Sequence, residues 1–136
     1  MKWKWMIGVI AAAGMVGAAA GAGPQHTVTV TLNYDFSVDT ACSSTVTTGC
    51  VNQLNIYDTT GGATPLKMFS IPAPSGANSA VTGITGTSGP VTLKAGVHTF
   101  AATAQMADGT ESNPNRSTAT ATVAPGSPAS FSVVVQ

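Results

Sequence analysis

The amino-acid sequence predicts an all-β fold, a two-sheet β-sandwich of about seven strands preceded by a short helical leader. Three observations carry that prediction. Residues 93–112, LKAGVHTFAATAQMADGTES, alternate position by position, with His98, Phe100, Ala102, Ala104 and Met106 on one side and Val97, Thr99, Ala101, Thr103 and Gln105 on the other. A side-chain period of two means a strand with one face on a core, and Asp108-Gly109 ends it as a strong turn signal. Turn signals recur about every 8–15 residues along the rest of the chain, at the spacing of short sandwich strands. Charged residues make up only 7% of the sequence, and the abundance of Thr, Ser, Ala, Val and Gly suits strands with small outer faces better than helices.

The leader comes first. MKWKWMIGVIAAAGMVGAAAGAG has a basic start, an apolar run over residues 5–16 and small residues ending in Ala20-Gly21-Ala22, the order of a secretory signal peptide. Cleavage is expected after Ala22, with Ala20 next, so residues 1–22 form the leader and residues 23–136 one domain. The competing reading, a retained membrane anchor, meets an apolar run that is short and rich in Ala and Gly against the roughly 20 apolar residues of a spanning helix. Once Lys2 and Lys4 leave with the leader, Lys67, Lys94 and Arg116 face Asp35, Asp39, Asp58, Asp108 and Glu111. The processed chain is mildly acidic, which gives no argument for nucleic acid or an anionic membrane as partner.

Residues 27–38, TVTVTLNYDFSV, place Val28, Val30, Leu32, Tyr34, Phe36 and Val38 on one face and Thr27, Thr29, Thr31, Asn33, Asp35 and Ser37 on the other. Cys42 and Cys50 follow in a Thr/Ser-rich stretch; in an exported chain such a local pair reads as a disulfide, closing a ring of about nine residues. Residues 51–58, VNQLNIYD, turn Leu54 and Ile56 inward. Gly61-Gly62 leads to TPLKMFSIP, which Pro65 and Pro72 restrict to a short edge strand. SAVTGIT and PVTL are two weak strands before the alternating segment, and residues 117–124, STATATVA, return beside it. ASFSVVVQ, residues 129–136, is a final apolar strand.

The stretch over residues 93–112 resembles the penultimate strand and turn of bacterial immunoglobulin-like and fibronectin type III-like domains, through Leu93, Gly96, His98, Phe100, Ala102, Ala104, Asp108, Gly109 and Ser112. Ile56-Tyr57 is similar to the end of the third strand of a fibronectin type III domain. The resemblance implies an immunoglobulin-like sandwich. It also implies a backbone tie at the corner, where those families carry a tyrosine and this chain carries His98; the tie is either lost or made by imidazole. The core tryptophan of those families has no counterpart, since Trp3 and Trp5 lie in the leader. The first strand after the leader matches the family's second, and ASFSVVVQ is one strand more than the family needs. That tail either continues the returning strand past a proline kink or fills the vacant first-strand edge.

Catalytic chemistry finds little support. Gly86-Thr87-Ser88-Gly89 is one residue short of nucleophile-elbow spacing. His98 and Asp108 stand about 30 Å apart along an extended strand, at roughly 3.3 Å per residue. His26 would complete a Cu(II) or Ni(II) chelate only behind an exposed Pro24 amine, and the leader places processing upstream. Asp108 and Glu111 offer two carboxylates, where calcium takes about six to eight oxygens. Asn115-Arg116-Ser117 matches the glycosylation acceptor pattern. Tyr57 and Phe69 could form a carbohydrate platform if they shared an exposed face, whereas Tyr34 falls inward.

The expectation is a secreted or periplasmic, non-catalytic binding or structural module of a bacterial surface, with no metal or other cofactor. Its candidate contact loop is Asp108, Glu111, Asn113, Asn115 and Arg116, facing a protein or glycan partner, and a membrane enters only if the leader is retained. Two rivals differ in class: a self-assembling surface subunit pairing through its C-terminal strand, and a small secreted metal-dependent enzyme, which two histidines support poorly.

Overall fold

The computed structural model describes residues 5–8, 25–62, 64–112, 118–123 and 134–135, and no helix occurs among them. Ten strands follow one another: β1 (Trp5–Gly8), β2 (Gln25–His26), β3 (Thr29–Asp35), β4 (Val51–Asp58), β5 (Leu66–Pro72), β6 (Ala80–Thr87), β7 (Val91–Thr92), β8 (Gly96–Met106), β9 (Thr118–Val123) and β10 (Val134–Val135). They form two four-stranded antiparallel sheets, β10-β1-β3-β6 and β5-β4-β8-β9, and a small β2-β7 ribbon.

The alternating segment is a central strand, since β8 pairs with β4 on one side and β9 on the other. Its inner residues His98, Phe100, Ala102 and Ala104 are buried, as are Leu54 and Ile56 of β4. Val28, Val30, Leu32, Tyr34, Phe36 and Ile84 join them from the β3–β6 side in one apolar core, which makes the molecule a β-sandwich. Outward-facing hydroxyls pair across the β3–β6 ladder, Thr29 with Thr87 at 3.0 Å and Thr31 with Thr85 at 3.1 Å. Gly86 faces inward opposite Val30, and a methyl group there would run into Ile71 of the other sheet. The glycine therefore sets how closely the sheets approach.

Three sequence expectations change. Val38, predicted on the inner face, is 57% exposed: β3 ends at Asp35, whose carboxylate accepts the Ser37 amide at 2.9 Å in an Asx turn. The outer-face residues Ala101 and Thr103 of β8 are buried; the chain after Gly109 doubles back there, and its Glu111 accepts from Thr103 Oγ1. Trp5–Gly8, expected within a helical leader, is a strand between β3 and β10. The expected edge strand over TPLKMFSIP is β5, which pairs only with β4 among the described strands.

Candidate functional site

Antiparallel order puts the β3–β4, β5–β6 and β8–β9 connections at one end of the sandwich. There the Cys42–Cys50 disulfide closes its loop, with the Cα atoms 5.0 Å apart. Backbone bonds tie that loop to its neighbours: Gly76 N–H donates to Cys42 O at 3.0 Å, Ala41 N–H to Ala77 O at 2.8 Å, and Ala107 N–H to Cys50 O at 2.9 Å. Within the ring, Ser43 Oγ accepts the Val46 amide at 3.1 Å and holds a tight turn. The outcome is a cross-tied platform from three loops, with Val46 41% exposed at its surface.

Asp108 stands exposed on this end, at the Asp108-Gly109 turn, where the positive φ of Gly109 and the Gly109 amide on Met106 O close the chain reversal. The Thr110 amide and hydroxyl hold the Asp108 carboxyl below the usual range. Glu111 points elsewhere. Residues 110–112 run back beside β8, with Ser112 N–H donating to Ala104 O and Ala104 N–H to Ser112 Oγ, both at 2.9 Å. The Glu111 carboxylate then lies over the outer face of the β4–β8 ladder, where it accepts from Asn55 Nδ2 at 2.6 Å, Tyr57 Oη at 2.7 Å and Thr103 Oγ1 at 3.0 Å. Asn113, Asn115 and Arg116, the other members of the predicted contact loop, lie outside the described residues.

Asn55 is the centre of this cluster. Its Nδ2 also donates to Gln105 Oε1 at 2.8 Å, and its Oδ1 accepts from Gln53 Nε2 at 2.8 Å and Ser70 Oγ at 2.7 Å. A fully buried amide with partners on both atoms satisfies the accounting that burial demands. Burial, together with the hydrogen bond to Glu111 and that carboxylate's charge, pushes the Tyr57 hydroxyl up to about 12. Tyr57 faces outward with Glu111, whereas Phe69 packs against the core, so the two rings form no shared platform.

The far end carries a second polar cluster, around His98. Its Nδ1 lies 2.9 Å from Asp58 Oδ2, and its Nε2–H donates to the Lys94 carbonyl at 2.7 Å. The Thr60 amide at 2.9 Å and the Thr60 hydroxyl both donate to Asp58 Oδ1, and Thr60 Oγ1 accepts the Thr99 amide at 2.9 Å. Burial raises the Asp58 carboxyl, but the bonds from Thr60 and from His98, with the histidine's charge, outweigh it and leave the group below its ordinary value. Imidazole thus bonds the backbone of Lys94, just before β8. Both ring nitrogens are turned to protein acceptors, so this Asp-His-Thr set joins β8 to the β4–β5 turn and presents no ring nitrogen to a substrate hydroxyl. His26, also buried, is lowered by desolvation and then by the charge of His98. Its strand pairs with Val91, so a solvent-facing chelate at His26 requires β2 to leave β7.

Sequence reasoning missed Asp58 as the partner of His98. The signal was register: Asp58 ends its strand opposite Phe100, two residues from His98. Among the described residues no group of three or more His, Cys, Asp or Glu is arranged to hold a metal ion. Comparison with protein-family models, with curated proteins and with solved structures found no match.

Proposed function

We propose that the processed chain is a secreted, non-catalytic immunoglobulin-like or fibronectin type III-like module of a bacterial surface or periplasm, which grips a protein or glycan partner through one end of its sandwich. The observation that supports this reading is the cross-tied platform of the Cys42–Cys50, 73–79 and 107–112 loops. A disulfide and three inter-loop backbone bonds pre-order an exposed surface holding Val46 and Asp108, and pre-ordering lowers the entropic cost of binding. The contact surface moves accordingly from Glu111, which is committed to the sheet, to the disulfide ring and the Asp108 turn. Placement of a photocrosslinking side chain at Val46, and separately at Gly61 on the opposite end, tests it in producing cells. Discrete adducts from position 46 and none from position 61 are expected; equal labelling from both ends, or none from either, refutes the assignment.

A further inference from the structure

One sheet has an unusual middle. β1 lies between β3 and β10, antiparallel to both, with Ile7 opposite Leu32 on one side and Val135 on the other. It belongs to the segment whose composition reads as a cleaved leader, and the inference below rests on that reading. Cleavage after Ala22 removes β1 whole. It opens the edge of β3 from Thr31 to Tyr34 and leaves β10 without its only ladder partner among the described strands. No upstream segment can take the place of β1, because Gln25–His26 is already paired with Val91–Thr92 and leads directly into β3.

We infer that the chain's own C-terminal segment, residues 129–136, is the strand that covers Thr31–Tyr34 once the leader is gone. The leader and the tail compete for one sheet edge, and the sandwich reaches its final form only after processing. Three arguments carry this. First, β10 already lies in the same sheet on the far side of β1, so it closes the gap by moving one strand spacing, about 4.8 Å. Second, direction agrees: β1 is antiparallel to both neighbours, so β10 runs parallel to β3 and needs no reversal to pair with it. A parallel ladder is slightly weaker per residue, but the tail is tethered to β9 by residues 124–133, and a short tether holds it at a millimolar effective concentration. Third, the tail has the chemistry of a pairing strand: ASFSVVVQ is uncharged and rich in β-branched residues. An apolar edge left open would recruit other chains, and the tether makes the tail of the same molecule the faster occupant.

The experiment uses protein recovered after export, with its mass measured first. Amide hydrogen exchange is then read over Thr31–Tyr34 in the parent and in a variant lacking residues 129–136, with β4 and β8 as internal controls. The expected result is a monomer that has lost its leader, with Thr31–Tyr34 protected in the parent and exchanging at least about ten times faster in the variant, while β4 and β8 are unchanged. If the deletion also strips protection from β4 and β8, a Val134→Pro variant, which keeps the tail but loses one ladder donor, is read in its place with the same expectation. Protection of Thr31–Tyr34 that ignores both tail variants overturns the inference, and so does protection that appears only with concentration and with oligomers. A mass retaining residues 1–22 overturns the leader reading and the strand exchange with it; a processed protein with tail-independent protection overturns the exchange alone.

Discussion

Replacing Gly86 with alanine puts the packing of the two sheets to a direct test. A Cβ built on Gly86 sits closest to Ile71 Cγ1, 2.8 Å from Ile71 Cδ1 and 3.3 Å from Phe69 Cε2. Ile71 is 4% exposed and Cγ1 is not the free end of its side chain, so relief requires a new rotamer in a filled core or a shift of β5. Overpacking of this kind costs about 1–3 kcal/mol. Alanine at an ordinary φ also restricts the unfolded chain and returns about 0.4–1 kcal/mol. The net expectation is a loss of about 1–2 kcal/mol, a fall in melting temperature of roughly 4–8 °C for a domain of this size. Gly61→Ala is the control. It has nothing within 4 Å and no positive φ, so it leaves the melting temperature unchanged or slightly raised. Thermal unfolding followed by circular dichroism reads both, and the double variant Gly86→Ala with Ile71→Ala should lose less than the sum of its singles, since the new methyl fills space vacated by isoleucine. A Gly86→Ala protein melting at or above the parent would refute the close approach of the sheets at this point.

The remaining predictions address the loop end and the two polar clusters. Removing the disulfide by Cys42→Ser with Cys50→Ser frees a ring of about nine residues and should cost about 2.5 kcal/mol by loop entropy, read as a lower denaturant midpoint. Glu111→Gln sets an NH₂ against the donors of Asn55, Tyr57 and Thr103; about 1–3 kcal/mol should be lost, and ultraviolet titration should show the Tyr57 hydroxyl ionising well below about 12. Asp58, lowered in the folded state from 3.8, stabilises the fold above that value and ceases to do so as pH falls through its folded value. Asp58→Asn should therefore flatten the acid limb of stability against pH, and an unchanged limb would count against the His98–Asp58–Thr60 tie.

Period-two alternation made β3 and β8 legible because it reports directly which side chains lie on a common face, and the buried rows Val30-Leu32-Tyr34 and Phe100-Ala102-Ala104 follow from it. The same rule failed at Val38, where a side-chain acceptor on Asp35 turned the chain before the pattern ended. It failed again on the outer face of β8. Alternation assumes that the second face meets water, but residues 110–112 cover it, so Thr103 is buried as deeply as the core and Asn55 opposite becomes the hub of a polar network. Glu111 was legible as a residue near a turn and illegible as a lid on that network, because Asn55 and Tyr57, two of its partners, lie more than fifty positions away on another strand.

The leader shows the same limit from the other side. Hydropathy states that residues 5–16 favour leaving water and is silent on what they leave it for: a bilayer, a peptidase's groove or the edge of a sheet all satisfy an apolar, uncharged segment. In this molecule the edge of β3 is one such destination, and Trp5–Gly8 occupies it. ASFSVVVQ answers to the same description, being largely apolar, uncharged and rich in β-branched residues, and its Val134–Val135 lies one strand further out. Two segments with the same physical preference and one ladder edge between them make the order of events decisive. On the proposed leader reading, the strand of residues 5–8 holds the edge until processing, after which the tail has the shortest path to the vacancy beside β3.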